Sequence, residues 1–209
     1  MPLQNRVSPF GELFADASRG LFMGNRGGRM HRDDQTLSSQ RWSSRQWICC
    51  RLEFKGRHRK VWGESYTELF FLDEVTALAA GHRPCFECRR KDAEMFAHLW
   101  PGSRKRKTRA RATEMDIVLQ AERLDGDDKR RHRLPIDDLP DGACIVMPGN
   151  DKQAAMLRGS ALLRWTSEGY ASAGVRPRGA RVDVLTPPSI LAVLKAGYQP
   201  LWHPSADAV

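Results

Sequence analysis

Cys85 and Cys88 are the two residues of this sequence whose types and spacing most directly indicate chemistry. Two thiolates separated by two residues can hold one metal ion from a single tight turn, which is a common arrangement in zinc sites. A structural zinc site is tetrahedral and needs four protein ligands, so two more must come from elsewhere in the chain. We therefore expect a zinc site at this turn, against the alternative that both side chains are free, partly buried thiols.

The two missing ligands are expected among the residues that precede the turn. The first candidates are His31, Cys49 and Cys50, and the second are His58 and His82. Adjacent residues of a strand point to opposite faces, so only one of the two neighbouring cysteines can reach the ion. We predict the ligand set His31, Cys50, Cys85 and Cys88, with Cys49 as the substitute for Cys50.

The segment from Thr67 to Cys88, TELFFLDEVTALAAGHRPCFEC, resembles the metal-binding domain of Ada-type DNA alkylation-response proteins. It is also similar to small zinc modules that are appended to some nucleases. Such modules contain a strand, a helix ending in Ala-Ala-Gly-aromatic-Arg-Pro, and a Cys-x-x-Cys turn. The resemblance implies that Cys85 and Cys88 bind zinc with two upstream Cys or His ligands, although the upstream spacing differs here. The complete sequence also resembles a group of bacterial proteins, which implies no activity.

The Ada resemblance implies a possible reaction as well as a metal. In that family, one zinc thiolate accepts a methyl group from a DNA phosphotriester, and a zinc-bound thiolate stays deprotonated yet nucleophilic. The acceptor of the family is an upstream cysteine, for which the nearest equivalents are Cys49 and Cys50. Because the paired upstream cysteines of the family are missing, we favour a zinc ion that holds the fold together.

Basic residues indicate a polyanionic partner. The formal net charge is +9, and such a balance favours nucleic acid over a merely soluble basic surface. Three clusters carry much of it: Arg89, Arg90 and Lys91; Arg104, Lys105, Arg106, Lys107, Arg109 and Arg111; and Lys129, Arg130, Arg131 and Arg133. Aromatic residues are sparse nearby, so contact with the phosphate backbone is favoured over base readout. We predict binding of DNA through Arg89, Arg90 and the whole second cluster.

Catalytic signatures are incomplete, and the enzyme question stays open at this point. The sequence has no glycine-rich phosphate loop, no His-Glu-x-x-His and no Gly-x-Ser-x-Gly. Glu122 is the acid that best fits a cleft on an otherwise apolar helix. Residues 25–28 read as a plain turn in preference to an anion-binding backbone loop. The alternative function is a nucleic-acid-modifying enzyme, either a nuclease or a zinc-thiolate alkyl acceptor.

Composition restricts the class of protein. The chain has 209 residues, of which 41% are hydrophobic and 28% are charged, which is typical of a folded globular protein. No apolar run reaches the ~18 residues of a membrane helix, and Met1–Phe10 lacks the apolar core of a secretion signal. We expect a cytoplasmic protein without a membrane partner. In a reducing compartment, five cysteines favour a metal or reactive thiols over disulfides.

Secondary-structure signals place the Cys turn in an α+β fold. Strands are predicted at residues 47–54 and 66–72, followed by a helix at 73–80 that Asp73 caps and Gly81 ends, and by a helix at 89–100. The later elements are predicted as helices at 113–124 and 186–196 and as strands at 143–147, 154–158, 161–165 and 182–185. We predict a zinc-stabilised N-terminal α/β module at 1–101, a basic linker at 102–112 and a mostly β C-terminal part at 113–209. Tryptophans spread along the chain also allow one compact unit.

Overall fold

The computed structural model describes residues 1–57 and 60–209, and at Arg104 and Arg106 it describes the backbone alone. His58, one of the second-choice zinc ligands, lies outside the described residues. The first elements are β1 (Arg6–Val7), β2 (Leu13–Phe14), β3 (Phe22–Arg26), β4 (Trp47–Arg51), β5 (Leu69–Phe71), α1 (Glu74–Ala79), β6 (Arg83–Pro84), α2 (Arg90–Leu99), α3 (Ser103–Arg106) and α4 (Ala112–Arg123). They are followed by β7 (Leu124–Asp125), β8 (Asp128–Lys129), β9 (His132–Pro135), β10 (Cys144–Met147), β11 (Asn150–Arg158), β12 (Ala161–Trp165), β13 (Tyr170–Val175), β14 (Arg181–Val184) and α5 (Pro188–Lys195).

A mixed six-stranded sheet forms the N-terminal half, in the order β2-β1-β5-β3-β4-β6. Strand β4 pairs antiparallel with β3, which sets Cys50 opposite Met23. On its other side, β4 pairs parallel with the short β6, where Ile48 lies opposite Arg83. Because β6 leads directly into the Cys turn, this pairing brings Cys85 beside the strand that carries Cys50.

Helix α1 begins and ends as its capping residues predict. Asp73 Oδ1 accepts a hydrogen bond of 2.8 Å from the Thr76 N–H, which satisfies one of the free donors of the first turn. Gly81 follows the helix at φ +89°, a left-handed conformation that favours glycine. The second carboxylate oxygen of Asp73 accepts hydrogen bonds from the Tyr170 hydroxyl at 2.7 Å and the His203 N–H at 3.0 Å. The cap therefore also ties α1 to the C-terminal part.

An antiparallel six-stranded sheet forms the second half, in the order β13-β12-β11-β10-β14-β9. The strands predicted at 143–147, 154–158, 161–165 and 182–185 correspond to β10, β11, β12 and β14. Strands β9 and β13 and the β7–β8 hairpin were not predicted. Charged residues are typical of edge strands, and β9 forms one edge of its sheet.

Helix α4 differs from its prediction at the N-terminus. It begins at Ala112, not Thr113, and the Glu114 carboxylate accepts the Arg111 N–H at 3.1 Å. Further along the helix, Asp116 forms a buried ion pair with Arg83, with two N–O distances of 2.8 Å. The short helix α3 lies within the predicted basic linker.

Buried apolar clusters join the two halves. One cluster packs Leu72 and Val75 against Cys144 and Met156, and another packs Phe96 against residues of α4 and α5. The α+β class is confirmed, whereas the domain boundaries stay a prediction. Across residues 1–57 and 60–209, no helix is long and apolar enough to cross a membrane.

Candidate metal centre

Three thiols converge at the edge of the N-terminal sheet. The sulfur atoms of Cys50, Cys85 and Cys88 all lie within 4.8 Å of one another. Cys50 comes from β4, and the other two come from the turn between β6 and α2. Cys85 is buried, while Cys50 and Cys88 are half-buried. This set of soft sulfur donors suits a thiophilic metal ion such as zinc, and the three cysteines are close enough to hold one.

Backbone amides support two of these sulfur atoms. The Glu87 N–H donates to the Cys85 sulfur and the Arg51 N–H donates to the Cys88 sulfur, each over 3.4 Å. The Cys85 N–H in turn donates to the Cys49 carbonyl at 3.0 Å, which fixes the turn to β4. Such amide donors stabilise negative charge on sulfur and orient it for a metal.

Proton sharing within the thiol cluster already favours one thiolate. Hydrogen bonds from Cys50 and Cys88 lower the pKa of Cys85, because they stabilise its charged form. The same contacts raise the pKa of Cys50, which acts as a donor to Cys85 and Cys88. A metal cation at this position would displace the shared protons, so its affinity should increase with pH.

His31 is not part of this cluster, and the predicted ligand set is wrong in that respect. Its Nδ1 lies 2.7 Å from the Thr67 hydroxyl and its Nε2 lies 2.8 Å from the Gly63 carbonyl. The ring also stacks on Trp62 with 5.3 Å between ring centroids. Both ring nitrogens are therefore occupied in holding a loop. Residue type suggested His31, but nothing in its sequence spacing fixed its position.

The other proposed ligands have different environments. Cys49 is buried on the opposite face of β4, where the Arg89 guanidinium lies 3.5 Å from its sulfur. The fully buried His82 packs against Trp47 and Phe71, with ring centroids at 5.0 Å and 4.7 Å. Burial lowers the pKa of His82 well below its usual value, so its ring stays neutral. Neither ring nitrogen of His82 has a hydrogen-bond partner within the described part of the chain.

The thiol cluster opens on a cavity of about 350 Å³, and all three cysteines line it. Apolar side chains such as Ile48 and Phe70 form much of the wall, and Glu68 contributes a carboxylate. Glu68 is buried, and its Oε2 accepts the Trp62 N–H at 2.8 Å. Its Oε1 has no hydrogen-bond partner among the residues that the structure describes. A metal with three protein ligands keeps a fourth position for water or another molecule, and the cavity provides the space.

Arg89 does not belong to a nucleic-acid surface, which corrects its predicted role. Its side chain is 2% exposed and forms ion pairs with Glu74 at 2.8 Å and Asp92 at 2.9 Å. It also donates toward Cys49. The residue therefore links α1, α2 and β4 beneath the Cys turn, and a phosphate cannot reach it.

Two of the remaining basic residues, Arg90 and Arg109, meet beside the Cys turn. Arg90 and Arg109 are both exposed and both donate to the same Glu94 oxygen, at 3.1 Å and 3.4 Å. The Arg109 guanidinium lies 5.6 Å from the ring centroid of Phe86. Phe86 directly follows Cys85 in the sequence. Three further basic side chains of this segment are exposed: Lys105, Lys107 and Arg111. The side chains of Arg104 and Arg106 lie outside the described part of the structure.

Glu122 has a structural role in place of the cleft suggested for it. Its two carboxylate oxygens accept the Ser189 N–H at 2.9 Å and the Ser189 hydroxyl at 2.7 Å. This contact caps the first turn of α5 from a neighbouring helix. The turn predicted at 25–28 is present only in part: Asn25 and Arg26 end β3, and the chain bends at 27–28, where the Asn25 side chain accepts the Gly27 N–H at 2.9 Å.

No family model, curated protein or solved structure matches this chain. The resemblance to Ada-type domains therefore stays a prediction. Function has to be inferred from the thiol cluster, its cavity and the basic residues beside it.

Proposed function

We propose that this protein is a zinc-containing, nucleic-acid-binding protein that contacts the phosphate backbone of DNA beside its metal centre. The observation that carries the proposal is the sharing of Glu94 by Arg90 and Arg109. Through this carboxylate, the helix that follows the Cys turn and the basic segment meet on one exposed surface. Five exposed basic residues of these two elements form our proposed binding surface, which we call the basic face: Arg90, Lys105, Lys107, Arg109 and Arg111.

Binding at the basic face would be driven by counterion release. Each phosphate that a lysine or arginine neutralises frees condensed cations, which makes affinity fall steeply with salt. Glu94 neutralises part of the charge of two arginines, whereas Lys105 and Lys107 appear in no ion pair within the described residues. Contacts of this kind carry little sequence information, because phosphates are the same at every base pair.

Zinc would act on this surface through the turn that it holds. Phe86 lies between two metal-binding cysteines, and both Arg83 and Arg109 lie over its ring, at 5.5 Å and 5.6 Å. A metal ion that holds the turn therefore also holds the Phe86 ring in place, and Arg109 of the basic face packs on that ring. We expect metal removal to weaken DNA binding as well as to destabilise the fold.

A salt-dependent binding measurement tests the proposal. Fluorescence anisotropy of a labelled duplex should give a steep decrease of affinity with salt. The double variant Lys107→Ala/Arg111→Ala should reduce the salt slope by about 2, at about 0.9 per phosphate contact. The control Lys152→Ala/Arg164→Ala removes the same charge from exposed positions of the C-terminal sheet and should leave the slope nearly unchanged. Equal slopes for the two double variants would exclude the basic face as the binding surface.

A second function is favoured by one specific observation, the position of Cys50. It is half-buried, belongs to the thiol cluster and lines the cavity, so a small group could reach its sulfur. In an Ada-like reaction, the Cys50 sulfur, which loses its proton when the metal binds, would form a bond to the methyl carbon of a phosphotriester. The carbon–oxygen bond would break, and the phosphodiester would leave with the electron pair. Peptide mass spectrometry of the wild-type protein and of Cys50→Ser, after incubation with methylated DNA, tests methyl transfer to Cys50. If the Cys50 peptide of the wild type gains no methyl group, the alkyl-acceptor function is rejected.

A further inference from the structure

Two guanidinium groups lie over one buried tryptophan in the interior. Arg26 is the last residue of β3 and Arg123 is the last residue of α4, and each guanidinium carbon is 3.9 Å from the Trp47 ring centroid. Arg26 is 2% exposed and Arg123 is 0% exposed. Arginines are almost never fully buried unless they are paired with an acid, so two at one place require an explanation.

The hydrogen-bond partners of both arginines are neutral. Arg26 donates to the carbonyls of Gly11 at 2.8 Å and Arg41 at 3.2 Å. Arg123 donates to the carbonyls of Gly81 at 3.0 Å and Arg45 at 2.8 Å and to the side-chain oxygen of Gln120. Within residues 1–57 and 60–209, neither guanidinium forms an ion pair, and the Nε atom of each has no partner.

Lys129, at the end of the β7–β8 hairpin, adds a third cation. Its ammonium group donates to the Ala79 carbonyl at 2.6 Å. Burial is the main reason that the pKa of Lys129 falls to about 7, and the positive charges of Arg123 and Arg26 lower it further. Burial likewise lowers the pKa of each of those two arginines to about 9. Unpaired buried charge is unfavourable, and such sites often serve a function.

These three cations line one cavity of about 630 Å³. The volume is within the range of about 300–1,000 Å³ that is typical of small-molecule sites. Five basic side chains line the cavity against three carboxylates: Arg26, Arg41, Arg123, Lys129 and Arg131, and Glu12, Asp127 and Asp128. The three carboxylates are all exposed, whereas two of the arginines are buried. The innermost wall is therefore positive.

An aromatic surface completes the cavity. Trp42 lines it and is only partly buried, with its ring centroid 6.2 Å from that of Trp47. An exposed tryptophan face can stack on a planar ring such as a nucleobase. A lysine ammonium group binds phosphate as a point charge, and the two buried guanidinium groups add positive potential beside it.

We infer that this cavity binds a nucleotide, with its phosphate group at Lys129, next to the buried positive charges of Arg26 and Arg123, and its base against Trp42. The cavity and the basic face share no residues. Nucleotide binding in the cavity therefore does not depend on contacts between the basic face and the phosphate backbone of DNA. The same chemistry is present in a free mononucleotide and in the phosphorylated end of a nucleic-acid strand. A strand end has further nucleotides that must extend out of the cavity, whereas a mononucleotide has none. Comparing the affinities for the two ligands therefore distinguishes them.

Calorimetric titration of the zinc-loaded protein provides the test. The probes are adenosine 5′-monophosphate, adenosine, inorganic phosphate, and a short oligonucleotide with and without a 5′-phosphate. We expect the monophosphate to bind more tightly than phosphate alone, and adenosine to bind far more weakly than the monophosphate. Preference for the 5′-phosphorylated oligonucleotide over the monophosphate identifies a strand end as the ligand, and the reverse order identifies a free nucleotide. No binding of any phosphorylated probe, or equal binding of adenosine, would overturn the inference.

Two variants test the assignment of groups. Lys129→Met should weaken the binding of both the monophosphate and inorganic phosphate by about tenfold or more, the typical effect of a lost charged hydrogen bond. Trp42→Ala, at a partly exposed position where folding is not threatened, should weaken the monophosphate and leave inorganic phosphate unchanged. Arg164→Ala, an exposed control, should bind as the wild type does. Wild-type affinity in either of the first two variants would contradict the assigned contact.

Discussion

Replacing Lys129 by methionine should stabilise the protein at neutral pH and remove a rise in stability that the wild type shows above pH 7. The pKa of this lysine is lowered from 10.5 to about 7. Because burial disfavours its charged form, the folded protein releases this proton at a lower pH than the unfolded chain does. A methionine has similar length and carries no charge to bury.

The sign and size follow from proton linkage. Between the folded value of about 7 and the unfolded value of 10.5, the unfolded state binds more protons, so stability increases with pH. Each pKa unit corresponds to about 1.4 kcal/mol, which gives at most about 3 kcal/mol between pH 7 and about pH 9. Lys129 is partly exposed, so we expect about 2 kcal/mol after allowing for solvent screening. Below pH 7 both states are protonated, and the penalty is constant.

Urea unfolding at a series of pH values between about 6 and 9 measures this effect. The quantity to compare is the variant's free energy of unfolding minus that of the wild type. Both proteins share the other titratable groups near Lys129, so the contributions of those groups largely cancel in this difference. These groups are His82, Cys144, Arg26 and Arg123. This difference should be largest below pH 7 and should shrink as the pH rises. Lys152→Met, at an exposed position, should give a constant difference. A constant difference for Lys129→Met as well would refute the lowered pKa.

Three further predictions concern the metal centre and the packing around it. Cys85→Ser should lose stoichiometric zinc by elemental analysis and should no longer show a chelator-dependent fall in Tm, whereas Cys144→Ser, whose thiol is buried away from the cluster, should keep both. Asp116→Ala should lower the urea-unfolding free energy by about 3–5 kcal/mol, because it leaves Arg83 buried and unpaired, and Arg83→Met in the same chain should restore much of the loss. Glu122→Ala should cost about 1–2 kcal/mol by removing the cap of α5 and should leave DNA binding unchanged; weakened DNA binding with an intact Tm would contradict a purely structural role.

Local signals predicted the elements around the Cys turn because their causes are local. Asp73 and Gly81 act within one turn of the helix they bound, and the turn from Cys85 to Cys88 brings its own two sulfur atoms together. Strand alternation also predicted correctly that only one of the two adjacent cysteines would face this turn; the structure shows that it is Cys50. None of these inferences needed knowledge of the partner strands.

Sequence patterns missed whatever depends on contacts between distant parts of the chain. His31 was chosen by residue type, but Thr67 and Gly63 occupy its ring nitrogens. Arg89 was assigned to a surface because it belongs to a cluster of basic residues. In the structure it forms a buried ion pair with Glu74, which lies fifteen positions earlier in the sequence. The cationic cavity likewise joins β3, β4, α4 and the β7–β8 hairpin, and no single segment of the sequence indicates it.

The start of α1 has a consequence for how the protein must be made. The Asp73 carboxylate accepts hydrogen bonds from the Tyr170 hydroxyl and the His203 N–H. The carboxylate of the next residue, Glu74, accepts one from the Tyr198 hydroxyl at 2.6 Å. These partners follow the two carboxylates by 97 to 130 positions, so during translation both interior carboxylates lack their donors until residue 203 has left the ribosome. An unpaired buried carboxylate is unfavourable, so helix α1 should not pack stably into its native position before that point. The segment that carries the Cys turn should consequently not survive excision as a portable module.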